Sequence, residues 1–282
     1  MAFLEFNDVS FTYPAIQDDY DENGNIIQPS PVFDHFTGSI PEGFTSLIGP
    51  NGSGKSTFMM LASGRLCPDN GSVRLLDQNL SILDDTQRNL IASVIYQNME
   101  FESEDKVKDL LSYVYQNGTF SGRAKAVNSD TDLFNEVIDT FELTKVLEHP
   151  LTHLSKGEIQ RVLLAFSILY GSASIFMDEP LFAMEQYQKE ASLQYLRDFN
   201  HKTGTSIFIS MHELDLTQKY ADSVLLFYPD RDMDYGDTQE VLTPAALEKA
   251  YGIPFGMLKN KEYLTRQELA EYDRIIKQGR KD

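Results

Sequence analysis

The fold of this 282-residue chain is decided by nine consecutive residues: Gly49, Pro50, Asn51, Gly52, Ser53, Gly54, Lys55, Ser56 and Thr57. They lie between an apolar run at residues 44–48 and a helix-compatible run at residues 58–62. This is the pattern of a phosphate-binding P-loop, in which glycines let several backbone N–H groups approach one anion. The helix that follows directs its positive end at the same phosphates. We expect Lys55 to reach the terminal phosphates of a nucleotide, and Ser56 to coordinate Mg²⁺.

The composition narrows the class of protein. At 41% hydrophobic residues the chain can bury a full core, and it contains no stretch of 18 apolar residues that could span a membrane. The N-terminus lacks the features of a signal peptide, and the single cysteine, Cys67, excludes an internal disulfide, so we expect a cytosolic protein. A net charge of -19 disfavours binding to nucleic acid or anionic lipid. An anionic nucleotide must therefore be held by local donors.

The order of the predicted elements indicates an α/β fold. Hydrophobic patterning predicts strands at residues 3–13, 31–36, 72–76, 92–96, 173–177, 206–210 and 224–227. It predicts helices at residues 107–116, 131–141, 155–170, 184–199 and 243–252, with a polar loop at 118–128. We interpret this as a P-loop NTPase core with a β-rich N-terminal subdomain and an inserted α-helical subdomain at about residues 98–160.

Two segments lie outside this core pattern. The acidic stretch at residues 18–30 contains Asn23 and Gly24, a pair typical of hairpin turns, and we expect an exposed excursion there. Beyond residue 252, Thr265 and Glu268 predict a capping box at the start of a last helix, in a C-terminal extension at residues 253–282. The simplest interpretation of both segments is that they are solvent-exposed additions to the core.

An apolar strand at residues 175–177 ends in Asp178 and Glu179. Next to a P-loop, this is the Walker B arrangement, in which Asp178 belongs to the Mg²⁺ shell and Glu179 polarises the attacking water as general base. The other interpretation is an acidic strand end of the kind found in any α/β protein.

Residues 154–158 read Leu-Ser-Lys-Gly-Glu. Ser155 and Glu158 fit a capping box at the start of an apolar helix, which by itself needs no further function. About 20 residues later comes the Walker B strand, and in this place the segment resembles the Leu-Ser-Gly-Gly-Gln signature of the ATP-binding cassette (ABC) family. The resemblance implies that Ser155 and Gly157 touch the γ-phosphate held by an opposite subunit. Lys156 and Glu158 depart from the commonest form.

Three further residues match positions of the same family. Gln97 follows a predicted strand and resembles the Q-loop glutamine, which senses Mg²⁺ and the attacking water. His212 follows the strand at residues 206–210 and resembles the switch histidine that contacts the γ-phosphate. Tyr13 stands where the family has an aromatic residue stacked on adenine. Residues 182–185 read Phe-Ala-Met-Glu where the family usually has Ser-Ala-Leu-Asp, so communication across the dimer interface is expected to differ.

The resemblance covers about residues 2–252, which we expect to form the ABC ATPase domain. It implies that ATP closes two copies of the chain around two nucleotides, with Mg²⁺ as cofactor, and that hydrolysis reopens the pair. A transporter of this kind requires a separate transmembrane permease, which would hold the chain at the inner face of the cell membrane without insertion or contact with nucleic acid. Residues 236–244 and 250–253 resemble the tail of importers for iron-siderophores, haem or cobalamin. The alternatives are a soluble ABC ATPase without transport, such as the iron–sulfur assembly type, and a binding module without catalysis.

Overall fold

The computed structural model describes residues 3–15, 29–97, 99–118 and 133–258. In these ranges the strands are β1 (Leu4–Phe11), β2 (Phe33–Ile40), β3 (Phe44–Ile48), β4 (Asn70–Leu75), β5 (Gln78–Asn79), β6 (Ala92–Ile95), β7 (Ser174–Met177), β8 (Ser206–Ser210), β9 (Ser223–Phe227) and β10 (Met233–Asp237). The α-helices are α1 (Lys55–Ala62), α2 (Asp85–Ile91), α3 (Val107–Asn117), α4 (Leu133–Thr140), α5 (Lys156–Tyr170), α6 (Gln186–Thr203), α7 (Leu214–Tyr220), α8 (Thr238–Val241) and α9 (Pro244–Tyr251). None of the helices in the described ranges has both the length and the apolar character required to cross a membrane.

The N-terminal strands form an antiparallel sheet in the order β2-β1-β4-β5. The predicted first strand is confirmed as β1, with Leu4 paired to Ile40 on one side and to Leu75 on the other. The second strand, expected at residues 31–36, begins at Phe33 and runs on to Ile40. It is longer than predicted because pairing with β1 supplies hydrogen-bond partners to a segment that lacks a hydrophobic run of its own.

The larger sheet has the strand order β10-β9-β3-β8-β7-β6, and only β10 pairs antiparallel to its neighbour. Strands β3, β7 and β8 are buried along their whole length, including the serine and threonine residues within them, so they show no alternation of apolar and polar residues. Because β3, β8, β7 and β6 are parallel, the loops that follow them leave from one edge of the sheet. The P-loop, His212, Asp178 and Gln97 all lie in these loops.

Helix α1, which begins in the P-loop, packs between the two sheets. The Phe58 ring lies 4.8 Å from the ring of Phe6 in β1 and 5.7 Å from that of Phe227 in β9. Phe58 and Leu61 are fully buried in a cluster that also contains residues of both sheets. The helix that carries the phosphate loop is thus fixed on two sides by aromatic packing.

The helices α3 and α4 pack against α5 and share one hydrophobic cluster with it. The sequence predicts one apolar stripe on α5, formed by Ile159, Val162, Leu163, Phe166 and Leu169. This prediction is wrong in detail, because Leu164, Ala165 and Ile168 are also buried while Ile159 and Phe166 are only half-buried. A helix packed between neighbours on more than one side buries more than one face, so its sequence does not show a single stripe.

Helix α6 begins two residues later than predicted and continues to Thr203, where Gly204 ends it in a left-handed conformation. Helix α9 is confirmed at the predicted place, with Thr243 as its N-cap, Pro244 in its first turn and Gly252 at its end in a left-handed conformation. The turn expected within residues 18–30, the loop at 118–128 and the capping box at Thr265 and Glu268 fall wholly or largely outside the described residues.

We expect Phe58→Ala to lower the free energy of unfolding by about 3–5 kcal/mol, since it removes a ring packed against both sheets. The matched control is Ile82→Ala, at a residue that is 78% exposed, with an expected change below about 0.5 kcal/mol. Urea unfolding of the two variants measures both. Equal midpoints would show that α1 does not join the sheets.

Candidate active site

The loops that follow three parallel strands bring polar side chains together around Glu179. Gln97 follows β6, Asp178 and Glu179 follow β7, and His212 follows β8. The Gln97 Nε2 donates to Glu179 Oε2 at 3.0 Å, and His212 Nε2 donates to Glu179 Oε1 at 2.6 Å. Both oxygens of one carboxylate are therefore held by residues that lie 82 and 33 positions away in the sequence.

The P-loop has the geometry of an anion cradle. Gly52 and Gly54 take left-handed conformations, with φ of +78° and +105°, that disfavour any residue with a side chain. The buried Lys55 donates from Nζ to the carbonyl oxygens of Gly49 at 2.8 Å and Pro50 at 3.0 Å. Burial lowers the pKa of the Lys55 ammonium, and the negative charges of the nearby carboxylates oppose this only in part.

One buried atom of the P-loop has no partner within the described part of the chain. The hydroxyl of Ser53 lies in a residue that is 4% exposed, and it makes no hydrogen bond there. Asn51 and Ser56 are exposed, while Thr57 is buried. A buried hydroxyl without a partner is uncommon, and a phosphate oxygen in the cradle would satisfy it.

Ser56 and Asp178 meet where a cation is expected. The Ser56 hydroxyl donates to Asp178 Oδ2 at 2.5 Å, although 122 residues separate them. The other oxygen, Asp178 Oδ1, accepts from the Ser210 hydroxyl at 2.6 Å. A carboxylate and a hydroxyl in contact are hard oxygen donors that suit Mg²⁺, which is usually bound by few protein ligands together with phosphate.

Glu179 is held in a strained backbone conformation. Its φ is +49°, a region that residues other than glycine rarely occupy. The Glu179 N–H donates to Ser210 Oγ at 2.8 Å, so Ser210 fixes both carboxylate residues. The hydrogen bond from His212 lowers the pKa of Glu179 and outweighs the opposing effect of burial, with smaller contributions from Lys55 and Gln97. The carboxylate therefore stays ionised and able to accept a proton.

Ser210 was missed by the sequence analysis. It is the last residue of β8 and is buried, and a serine at a strand end gives no distinctive pattern. Its contacts with Asp178 and Glu179 exist only because β7 and β8 are neighbours in the sheet. The only hint in the sequence is that Ser210 ends a predicted strand, as the residues before Asp178 and Glu179 do.

Tyr13 lies beside the P-loop, as its predicted role requires. Its hydroxyl is 3.1 Å from Thr57 Oγ1, within hydrogen-bond distance, and its ring packs edge-on against Phe11 at 5.0 Å. The residue remains 44% exposed. The ring is thus anchored at one end to the helix that begins in the P-loop, and it keeps apolar surface available for stacking.

Ser155 and Gly157 stand apart from the P-loop of the same chain. Ser155 caps α5 in the predicted capping box: its hydroxyl donates to Glu158 Oε2 at 2.6 Å, and its own backbone N–H donates to the same oxygen at 2.8 Å. Burial raises the pKa of Glu158, but the hydrogen bonds from Ser155 outweigh it and leave the pKa below its ordinary value. Within the described residues, no hydrogen bond joins Ser155 or Gly157 to residues 49–57.

Gly157 packs closely on the loop that follows Glu179. A Cβ at this position would lie 2.7 Å from the carbonyl oxygen of Ala183, closer than any side chain tolerates. Phe182 in the same loop is 75% exposed. A cavity of about 220 Å³ separates Gln97 and Glu179 from Lys156 and the start of α5. The start of α5 is therefore in direct contact with the loop that follows Glu179.

The fold and these loops define a P-loop nucleoside triphosphatase. The family model described as "ABC transporter" matches residues 34–182. Relatives include the petrobactin import ATP-binding protein of Bacillus anthracis, 25% identical over 222 residues that cover 78% of this chain and 87% of that protein. Another is the hemin import ATP-binding protein of Escherichia coli O157:H7, 28% identical over 241 residues that cover 83% and 91% of the two chains.

Among solved structures, the chain resembles a dimeric ATP-binding cassette in a post-hydrolysis state with ADP and phosphate. The TM-score is 0.66 at 20% identity, and the match covers 83% of this chain and 98% of that one. Since the family model spans more than half of the sequence, the chain belongs to the ABC transporter family.

We expect Gly157→Ala to lower the rate of ATP hydrolysis by about tenfold to a hundredfold, because the new methyl group must displace the backbone at Ala183. Gly256→Ala is the matched control, since a Cβ there meets no atom within 4 Å. Steady-state hydrolysis assays compare the two variants. A Gly157→Ala variant with the rate of the control would show that the contact with Ala183 is dispensable.

Proposed function

We propose that this chain is the ATP-hydrolysing subunit of an ABC transporter, and that two copies act together. The observation that carries the proposal is the set of contacts around Glu179, which receives hydrogen bonds from Gln97 and His212 beside a cradle of glycines and a buried lysine. Each of these groups comes from a different loop at one edge of a parallel sheet, the place where such sheets bind nucleotides.

The P-loop residues Gly49 to Thr57 would hold the phosphates of ATP. Lys55 already directs its ammonium at the loop carbonyls of Gly49 and Pro50, and a phosphate in the cradle would replace or share those contacts. The unpartnered hydroxyl of Ser53 fits the same ligand. Tyr13, half exposed beside the loop, would stack its ring on the adenine.

Ser56 and Asp178, with Gln97 nearby, would hold Mg²⁺. The contact of 2.5 Å between the Ser56 hydroxyl and the Asp178 carboxylate places two oxygen donors side by side, which supports this assignment. When bound, Mg²⁺ offsets the negative charge of the phosphates during hydrolysis. Ser210 would keep Asp178 oriented for this task through its hydrogen bond to Oδ1.

Glu179 would act as the general base. The His212 hydrogen bond keeps its pKa low and its carboxylate ionised, and the bond from Gln97 orients the second oxygen. Phosphoryl transfer depends mainly on positioning and charge stabilisation, so a carboxylate held at both oxygens suits the reaction. On this proposal His212 would also contact the γ-phosphate, in addition to its hydrogen bond with Glu179.

The second copy would complete the site. Ser155 and Gly157 begin a helix whose free N–H groups suit an anion, but they make no hydrogen bond to the P-loop of their own chain within the described residues. On this proposal each ATP lies between the P-loop of one copy and Ser155 of the other. To contact the nucleotide, the Ser155 hydroxyl would redirect its proton from Glu158.

The transported molecule is proposed to be an iron-siderophore, haem or cobalamin taken up by the cell. Two relatives are import proteins for petrobactin and for hemin, and these relatives favour a transporter over a soluble ATPase of the iron–sulfur assembly type. A separate permease would hold the chain at the cytoplasmic face of the membrane. Residues 1–252 would form the ATPase domain, with the helical insertion at about residues 98–160, and residues 253–282 an extension.

The Glu179→Gln variant should dimerise with saturating ATP and Mg²⁺, because it binds ATP while hydrolysis falls by about 10²–10⁴-fold. Light scattering after size-exclusion chromatography measures the mass. Adding Lys55→Met should keep the protein monomeric, since the phosphates lose their cation. A Glu179→Gln variant that stays monomeric under these conditions would contradict the two-copy mechanism.

A second experiment separates transport from soluble function. The tagged chain is extracted from its native membranes in mild detergent, and the proteins that co-purify are identified. We expect a polytopic membrane protein in an equal amount. If the chain is absent from the membrane fraction and a soluble partner co-purifies, the ATPase works without a permease.

A further inference from the structure

Among the described residues, the buried charged side chains are those of Lys55 and Lys189. Lys55 is explained by the P-loop, but Lys189 has no part in nucleotide binding. It is 7% exposed and lies in the first turns of α6, and its Nζ donates to Glu213 Oε1. Glu213 directly follows His212 and stands at the N-cap of α7, where its side chain makes no capping hydrogen bond. The carboxylate of Glu213 is thus paired with Lys189 rather than with the first turn of α7.

The ion pair between Lys189 and Glu213 joins two segments that each lead back to Glu179. From Glu179 the chain runs through six residues to α6, and Lys189 there reaches across to Glu213. The adjacent His212 returns to Glu179 through its hydrogen bond of 2.6 Å. Burial raises the pKa of Glu213, but the charge and hydrogen bond of Lys189, together with the Glu213 backbone N–H and the charge of His212, outweigh it and leave the pKa below its ordinary value.

The pair is largely buried, since Lys189 is 7% exposed and the Glu213 side chain is 23% exposed. Such a pair is weak evidence of stability, because desolvating the charges offsets much of their attraction, and apolar residues of similar volume often serve as well. In some proteins a buried polar or ionic group instead fixes one arrangement of the elements that carry it. Here the pair between Lys189 and Glu213 fixes how the segment from His212 to Glu213 lies relative to the start of α6.

We propose that Lys189 is a positioning residue that acts through Glu213 to hold His212 against Glu179. The proposal rests on the proposed function, in which Glu179 is the general base. Removing the pair should therefore leave ATP binding at the P-loop unchanged and slow the chemical step.

The same two helices offer a matched control. Lys219 of α7 donates to Glu190 of α6 at 2.6 Å, with side chains that are 57% and 37% exposed. It repeats the Lys–Glu chemistry of the buried pair between α6 and α7, but its members are exposed, and within the described part of the chain they form no hydrogen bond with His212 or Glu179. Exposed pairs of this kind contribute little.

The test compares Lys189→Met/Glu213→Met with Lys219→Met/Glu190→Met. Replacing both members by methionine avoids leaving a buried charge unpaired, so the first double variant should fold with a Tm close to that of the wild type. Its kcat for ATP should fall at least about tenfold with KM changed less than about twofold. The control should stay within about twofold in both constants. Equal kcat values for the two double variants would overturn the proposal.

A second readout is independent of turnover. In protein labelled with ¹⁵N-histidine, the imidazole signal of His212 is assigned by its loss in a His212→Ala variant. The His212 signal should shift in Lys189→Met/Glu213→Met and stay in place in the control variant. An unchanged His212 signal in Lys189→Met/Glu213→Met would overturn the proposal. Wild-type protein that hydrolyses no ATP would instead refute the proposed function, while the His212 signal still tests the positioning.

Discussion

The parallel pairing of β3, β8, β7 and β6 is the constraint on which the rest of the molecule depends. Parallel neighbours end at the same edge of a sheet, so the loops that leave them must share one space. In this protein those loops carry the P-loop, His212, Asp178 with Glu179, and Gln97. Residues that are up to 122 positions apart in the sequence thereby come within hydrogen-bond distance, as Ser56 and Asp178 show.

The same edge also stores strain. Glu179 occupies a backbone region that costs about 1–3 kcal/mol for a residue other than glycine. Ser210 stabilises this conformation by accepting from the Glu179 N–H while donating to Asp178, and the aromatic packing of Phe58 secures the helix on the other side of the cradle. The site is thus supported by buried structure behind it, while its open side, with Ser155 on a separate helix, suits a second copy.

Local patterns were predictable from the sequence, and long-range contacts were not. The P-loop, the Walker B strand and the capping box of Ser155 and Glu158 depend on residues close in sequence, and the structure has the predicted strand, loop and helix at each of these places. Helix α2 was missed because only Ile91 in it is buried, so no stripe appears. Strand β10 is acidic and largely exposed, and it forms because β9 offers an edge to pair with. Helix α7 was also missed, because it begins Leu-Asp-Leu, and this alternation of apolar and polar residues resembles a strand.

Among the candidate site residues, the resemblance to a family supplied the roles and the fold supplied the geometry. No pattern in the sequence indicates that Ser210 contacts both carboxylates or that Lys189 reaches Glu213, since these contacts depend on the neighbouring positions of β7 and β8 and of α6 and α7. Such residues support a site without belonging to its motifs. They are visible only after the strands and helices have been placed side by side.

The central claim is that each nucleotide is held by two copies of the chain. The most direct measurement is an experimental structure of the Glu179→Gln variant with ATP and Mg²⁺. The account predicts a nucleotide whose terminal phosphate contacts Lys55 of one copy and Ser155 of the other. A nucleotide bound by one chain alone, with Ser155 still paired to Glu158 and facing solvent, would contradict it.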